Sequence, residues 1–391
     1  MYCKDCFYFK KPLIIVVLVL FTLVFSGCSQ QGNISPAPAA VEPEKIRIAL
    51  AGDFLMHMPV VNSVKDIKTG KYNFGDIFTE ISPALSGPDF TIANLETRLA
   101  GPEKGYCGYP LFNTPDGLAE SMRELGIDMV TTANNHSMDM GGKGVVKTLD
   151  TLDRAGLLHV GTHRSPSERD TLSIHEIEGI RVGIINYTQS TNGLPVPSDA
   201  GYLVNLIRRD RMRGEIQKLR ESGCDFIIAV IHFGTEYQRQ PNEFQKTLAR
   251  ELIQCGADVV TGSHPHVVQP MEWLTVNRDG KEKKGLAAYS LGNFISNQRW
   301  RYSDCGIILN LEIVKTPGGP AELGEVGYTP VWVQRMVKEG RYSYRVLPVD
   351  QAVKNYETGA DTLLTEEDYQ RLKQVWQDTT ELIGPEFRAG S

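Results

Sequence analysis

The sequence predicts an α/β protein, and three features predict it. Short runs dominated by apolar and β-branched residues recur along the chain, as in strands buried on both faces. Stretches with helical spacing of apolar residues separate most of them. Six of these runs end in carboxylate, imidazole or carboxamide residues: Asp53, Glu96, Asn135 with His136, His232, His264 with His266, and Asn293. The carboxyl ends of strands are where α/β proteins assemble their sites.

In chain order, Ile46–Ala51 is the first expected strand and runs into Gly52-Asp53; Phe90–Ala93 is the second and ends at Asn94-Leu95-Glu96. Thr114-Pro115 is expected to open a helix by a hydroxyl cap with proline at the first position. Leu118, Met122 and Leu125 mark its buried face and Gly126 ends it. Met129–Thr132 leads into Asn134-Asn135-His136 and Asp139, and a helix from Gly144 to Ala155 follows. Leu172–Ile177 and Ile180–Tyr187 read as a hairpin turning at Glu178-Gly179. After a polar helix near 206–221, Phe226–Ile231 delivers His232, with Glu236 close behind. A helix near 242–254 then precedes the strand Ala257–Thr261 and Gly262-Ser263-His264-Pro265-His266. On an extended segment, His264 and His266 would point to the same side, stiffened by Pro265. Leu286–Ser290 ends at Asn293, and β-like runs follow near 307–314, 328–333 and 342–347. The tail, 351–391, is expected to be a separate helical element. Thr365 and Asp368 cap a helix with an apolar stripe through Leu372, Val375 and Leu382, stopped at Gly384-Pro385.

The chain has 391 residues, 41% hydrophobic and 23% charged, which is ample for a large core. A net charge of -6 and the lack of a basic cluster argue against nucleic acid as a partner. Lys10 and Lys11 precede an apolar run from Leu13 to Phe25 and then Ser26-Gly27-Cys28. The run is short for a membrane span, which needs about 20 residues, and suits a secretory signal over 1–28. Small residues before Cys28 resemble a bacterial lipobox, which implies lipidation of Cys28; an uncleaved anchor is the alternative. Both readings place the body on the extracytoplasmic face of the membrane. Residues 29–44 read as a flexible tether. Cys107, Cys224, Cys255 and Cys305 allow three pairings, and the sequence does not choose among them.

Carboxylates, imidazoles and an asparagine oxygen at one rim suit one or two divalent ions, Mn²⁺, Fe or Zn²⁺. The series Gly52-Asp53, Asn94-Leu95-Glu96, Asn134-Asn135-His136 with Asp139 and Gly141, His232-x-Gly234-x-Glu236, Gly262-x-His264-Pro265-His266 and Ser290-Leu291-Gly292-Asn293-Phe294 resembles the CapA (PgsA-like) capsule-synthesis family, implicated in poly-γ-glutamate production. The resemblance covers about residues 45–350, and the family in turn resembles calcineurin-like metallophosphoesterases. It implies a four-layer αββα sandwich of two mixed sheets. It also implies that Asp53 binds one metal, Glu96 bridges two, Asn135, His232 and His264 hold the second, and His266 returns to the first. His136 would be the acid or charge stabiliser for the leaving group, oriented by Asp139, with Glu236 and Asn293 supporting the ligands. Leu55 stands where the phosphoesterase pattern has a histidine, and His57 replaces it only if the backbone turns sharply. The activity implied is metal-assisted hydrolysis or transfer on a phosphoester or an anionic polymer, alongside membrane subunits of a capsule-synthesis assembly. A non-catalytic polymer-handling subunit and a phosphoesterase unconnected with capsule are the alternatives.

Overall fold

The computed structural model describes residues 43–390, residue 279 excepted. The signal segment, Cys28 and the tether up to residue 42 lie outside the described residues.

From Glu44 the chain is a strand, because apolar side chains at Ile46, Ile48 and Leu50 alternate with ones that face the other way. Strands β1 (Glu44–Phe54), β2 (Phe90–Leu95), β3 (Met129–Thr131) and β4 (Leu158–Val160) lie side by side and parallel. Between them run α1 (Met58–Ser63), α2 (Ser82–Ser86), α3 (Gly117–Glu124) and α4 (Gly141–Ala155), and α5 (Pro166–Asp170) follows β4. The next six strands build a second sheet: β5 (Ile174–Ile177), β6 (Ile180–Thr188), β7 (Phe226–His232), β8 (Val259–Ser263), β9 (Met271–Arg278) and β10 (Lys281–Ala288). Their spatial order is β5-β6-β7-β8-β10-β9, with α6 (Arg209–Glu221) and α7 (Glu243–Cys255) as crossovers. The chain then returns to the first sheet. Strand β11 (Asn293–Ile295) pairs with the end of β1, and β12 (Cys305–Lys315), β13 (Ala321–Lys338) and β14 (Arg341–Pro348) extend the sheet antiparallel from β1.

The two sheets face each other through one shared core. Ile46, Ile48, Leu50 and Ile92 meet Val182, Ile184, Ile228 and Val259 there. On its other face the first sheet buries Ala49, Ala93 and Val130 against Leu118, Met122, Leu149 and Leu152 of α3 and α4. The second sheet buries Ile185, Ile227 and Val260 against Met212, Ile216, Leu248 and Leu252 of α6 and α7. The result is the αββα sandwich of two mixed sheets. Helices α8 (Val349–Glu357) and α9 (Glu366–Ile383) close a smaller core with Trp332 and Leu347, and β15 (Arg388–Ala389) adds to β13.

Local signals hold in most places. Glu178 and Gly179 turn the β5–β6 hairpin with φ of 43° and 85°, and Thr365 and Asp368 form a reciprocal cap on α9. Thr114 departs from expectation. Helix α3 starts later, behind Asp116, and the Thr114 hydroxyl is bonded to Thr97 (2.7 Å) in place of the helix. The hairpin of β9 and β10 was not foreseen, since the polar Lys281–Lys284 half of β10 hides its alternation. Among the described residues the four cysteines are unpaired thiols, and Cys224 packs within the helix-facing core of the second sheet. No described helix is long and apolar enough to cross a membrane.

Candidate metal centre

The site lies where strand ends of the two sheets meet. Two glycines let the segment from Tyr289 to Gly292 run close beside β1 and β8: a Cβ on Gly52 would stand 2.0 Å from the Gly292 carbonyl oxygen, and one on Gly262 would stand 1.9 Å from that of Tyr289. Asn186 of β6 ties the sheets together beside the site. Its Oδ1 accepts the Ala133 N–H (2.8 Å) and its Nδ2 donates to the Val230 carbonyl (3.0 Å).

The first sheet contributes the carboxylates. Asp53 is the last residue but one of β1 and Glu96 directly follows β2, both fully buried. Asn94, two residues before Glu96 and so on the same side of the strand, donates Nδ2 to Asp53 Oδ1 (2.8 Å) and Glu96 Oε2 (3.3 Å). Glu96 Oε1 has no hydrogen-bond partner although it is buried, and it lies 3.5 Å from His232 Nε2 and 3.7 Å from His266 Nε2. Burial raises the Glu96 pKa well above the usual carboxylate range, and the charges of Asp53 and Glu236 add to this.

Imidazoles come from the second sheet. His232 ends β7; its Nδ1 is bonded to Ser263 Oγ (2.7 Å), and its Nε2 is 2.9 Å from Asn135 Oδ1. His264 and His266 do not lie on an extended segment as expected. Strand β8 stops at Ser263, and both histidines sit in a turn with φ of 99° and 57°. Their rings nonetheless reach the same cluster, with centroids 6.2 Å apart, because the left-handed turn replaces the alternation of a strand. His266 Nδ1 donates to Asp53 Oδ2 (3.0 Å), while His264 Nδ1 is buried without a partner. Burial lowers the pKa of His232 far below its ordinary value, with His264 and His266 adding; His264 is pushed down to about 4 by burial and by His266. Both imidazoles are therefore neutral at physiological pH, the form that ligates metal.

These donors fit a divalent cation. Two groups, Glu96/His232/His264 and Asp53/Glu96/His266, each bring their ligand atoms within 4.8 Å of one another, and they share Glu96. A buried carboxylate oxygen and a buried imidazole nitrogen without partners are the atoms a cation would engage. Asn135 Oδ1 lies beside the first group. His57 is not in either group. Its Nδ1 is within 3.3 Å of the Leu55 carbonyl and of the Asn297 N–H, and Leu55 is a buried core residue.

Around the donors, His136 Nδ1 donates to Asp139 Oδ2 (2.7 Å), which also accepts the Phe112 N–H (2.7 Å); the Phe112 ring stands edge-on to His136 at 4.6 Å. Asn293 donates Nδ2 to the carbonyls of His266 (3.3 Å) and Ser303 (2.7 Å), so it braces the histidine turn. Glu236 is exposed at the rim, and its charge is felt at Glu96 and His264. Arg98 was missed by the sequence reading. It is wholly buried, donates Nη2 to the Leu95 carbonyl (3.0 Å), and leaves Nε and Nη1 without partners. Burial lowers its pKa to about 10 against the pull of Asp139 and Glu96. An arginine between Leu95 and Leu99 was the signal.

The chain is similar to several known proteins. The chain is 27% identical to the capsule biosynthesis protein CapA of Bacillus anthracis over 308 residues, 76% of this chain and 70% of that one. It is 22% identical to the PGA biosynthesis protein CapA of Bacillus subtilis (strain 168), over 86% of this chain and 90% of that one. Among solved structures it is similar to a 5'-nucleotidase precursor from Thermus thermophilus, at a TM-score of 0.45 and 15% identity. That match covers 86% of this chain but 58% of the nucleotidase. The NAD nucleotidase NadN of Haemophilus influenzae gives a TM-score of 0.46 and 12% identity, over 88% of this chain and 61% of that one. No substrate follows from these structural likenesses. Residues 47–298 match the family described as bacterial capsule synthesis protein PGA_cap, and the chain belongs to that family.

Proposed function

We propose that this chain is a lipid-anchored, extracytoplasmic protein of poly-γ-glutamate capsule production whose cleft performs metal-assisted hydrolysis or transfer at a phosphoryl or acyl centre. The observation that carries the reading is the pair of donor groups sharing the partnerless oxygen of Glu96. Glu96, His232 and His264 with Asn135 would hold one divalent ion, and Asp53, Glu96 and His266 a second; Mn²⁺, Fe and Zn²⁺ suit this donor set. When bound, such an ion supplies Lewis-acid polarisation of the reacting centre and acidifies water. With Nδ1 held by Asp139, His136 has Nε2 free to give a proton to the departing group. The leader ending at Cys28 supports membrane attachment: Cys28→Ala should abolish fatty-acid labelling, and normal labelling would remove the anchor from the reading.

The test of catalysis is His136→Ala in polymer-producing cells. The variant should keep its metal and melting temperature while hydrolysis drops about 10²–10⁴-fold and polymer disappears. A non-catalytic polymer-handling role is favoured by Leu55, which leaves one metal position with three donors. Full polymer output from a folded His136→Ala protein would select it, provided His264→Ala still fails.

A further inference from the structure

The rim of the metal centre carries an unmatched carboxylate beside exposed aromatic rings. Glu236 and Tyr237 come shortly after β7 and lie against the histidine turn, where the Tyr237 N–H donates to the Pro265 carbonyl (2.8 Å). Tyr237 has a φ of 65°, a left-handed conformation that is an outlier for a bulky side chain and persists only where its surroundings impose it. Those surroundings are the metal centre's own. The Tyr237 ring lies 6.1 Å from that of His266, its hydroxyl accepts Gln298 Nε2 (3.2 Å), and Gln298 Oε1 in turn accepts Asn293 Nδ2 (2.9 Å). Asn293 also holds the His266 carbonyl (3.3 Å), so one network fixes both the histidine and the tyrosine. The tyrosine is nonetheless 40% exposed, and Trp300, 50% exposed, meets its ring edge-on at 5.1 Å.

Glu236 is exposed, and among the described residues it forms no ion pair. Burial and the Glu236 charge raise the Tyr237 pKa, and the same charge is felt at Glu96 and His264. The cations nearest to these residues in the chain are engaged elsewhere. Arg239 stacks on Tyr302 at 3.9 Å and donates to the Asp378 carbonyl (2.7 Å), and Arg301 forks onto the Asp378 carboxylate (2.7 and 3.2 Å). Arg299 donates to the Val333 carbonyl (2.8 Å). A free carboxylate beside open aromatic faces suits an organic cation, which the rings attract through their quadrupoles and the carboxylate by charge. An anionic group in the same place would be repelled by Glu236.

We infer that Glu236, Tyr237 and Trp300 hold the free ammonium group at the amino end of a γ-glutamyl chain beside the metal centre; the inference rests on the poly-γ-glutamate reading above and names the end of the polymer that enters the cleft. The first γ-amide carbonyl is only a few bonds from that ammonium, so a chain held at the rim presents this bond to the donors first. A sugar phosphate carries no such cation and would leave the rim unused.

The test uses the full chain in detergent and two ligands, a short γ-glutamyl oligomer and the same oligomer with hydrogen in place of its terminal amino group. Titration calorimetry should show the amino form binding about tenfold or more tightly. Glu236→Gln should erase that preference with melting temperature and metal content retained, and Trp300→Ala should reduce it about threefold or more. Equal binding of the two oligomers by the unaltered protein overturns the inference, and so does an undiminished preference in a metal-loaded Glu236→Gln protein. If Glu236→Gln loses its metal, Trp300→Ala decides, and an undiminished preference there overturns the inference as well. The two levels separate in the unaltered protein. Binding of neither oligomer would defeat the poly-γ-glutamate reading itself, whereas equal binding of both defeats the rim alone.

Discussion

The two sheets bring opposite chemistry to one seam. The first supplies Asp53 and Glu96, anionic groups held together by Asn94; the second supplies His232, His264 and His266, held by Ser263 and by the turn at Pro265. Burial acts in opposite directions on Glu96, whose pKa it raises, and on His232 and His264, whose pKa values it lowers. Neither side makes a cation site alone. Carboxylates without neutral donors would repel each other, and imidazoles without carboxylates would leave the ion's charge unbalanced.

The largest expected effect comes from breaking the shared member. Glu96→Gln should empty both positions, so that metal content after dialysis falls close to zero; retention of one ion would show that the two groups do not depend on Glu96 equally. A smaller effect should follow from loosening either side through its support. Ser263→Ala frees His232 and Asn94→Ala frees the carboxylates, and each should weaken metal affinity about 10–100-fold. If one change is silent, that side is rigid without its support and the symmetry of the comparison fails.

The smallest effect concerns the metal-free protein. The folded pKa of His264, about 4, lies below its unfolded value of 6.5, so the unfolded chain takes up more protons between them. Stability on that account is full above about pH 6.5 and is lost as pH falls towards 4. Glu96 has the reverse sign: its folded pKa is raised, so stability is full below about pH 4.5 and falls as pH rises through its folded pKa. In chelator, Glu96→Gln should therefore be more stable than the parent at neutral pH, and His264→Gln should be less acid-sensitive than the parent, with His232 retaining the rest. Thermal melts against pH check both, and a Glu96→Gln protein no more stable than its parent would contradict the charge balance described above.

Much of this was legible because burial on both faces leaves strands apolar until they reach the site, so a polar residue at a strand end stands out. Asp53, Glu96 and His232 were readable for that reason. Asn94 was in view but had no assigned role, since its task depends on how far apart Asp53 and Glu96 lie across β1 and β2. The backbone at His264 and His266 was misread because Pro265 favours an extended neighbour, whereas the Tyr237 N–H bonded to its carbonyl belongs to a turn that local sequence does not specify. Arg98 escaped notice because a charged residue inside an apolar stretch usually faces solvent.

Asp53 and His266 are partners across 213 positions of chain. An unfolded or newly made chain holds these groups too far apart to capture an ion between them, so an ion held by this pair would join only a finished fold. The identity of such an ion would then depend on which one is abundant where folding ends, since raw affinity among first-row metals follows a fixed order that these ligands alone do not override. Moving the place of folding, with no change of residue, would be enough to change the metal.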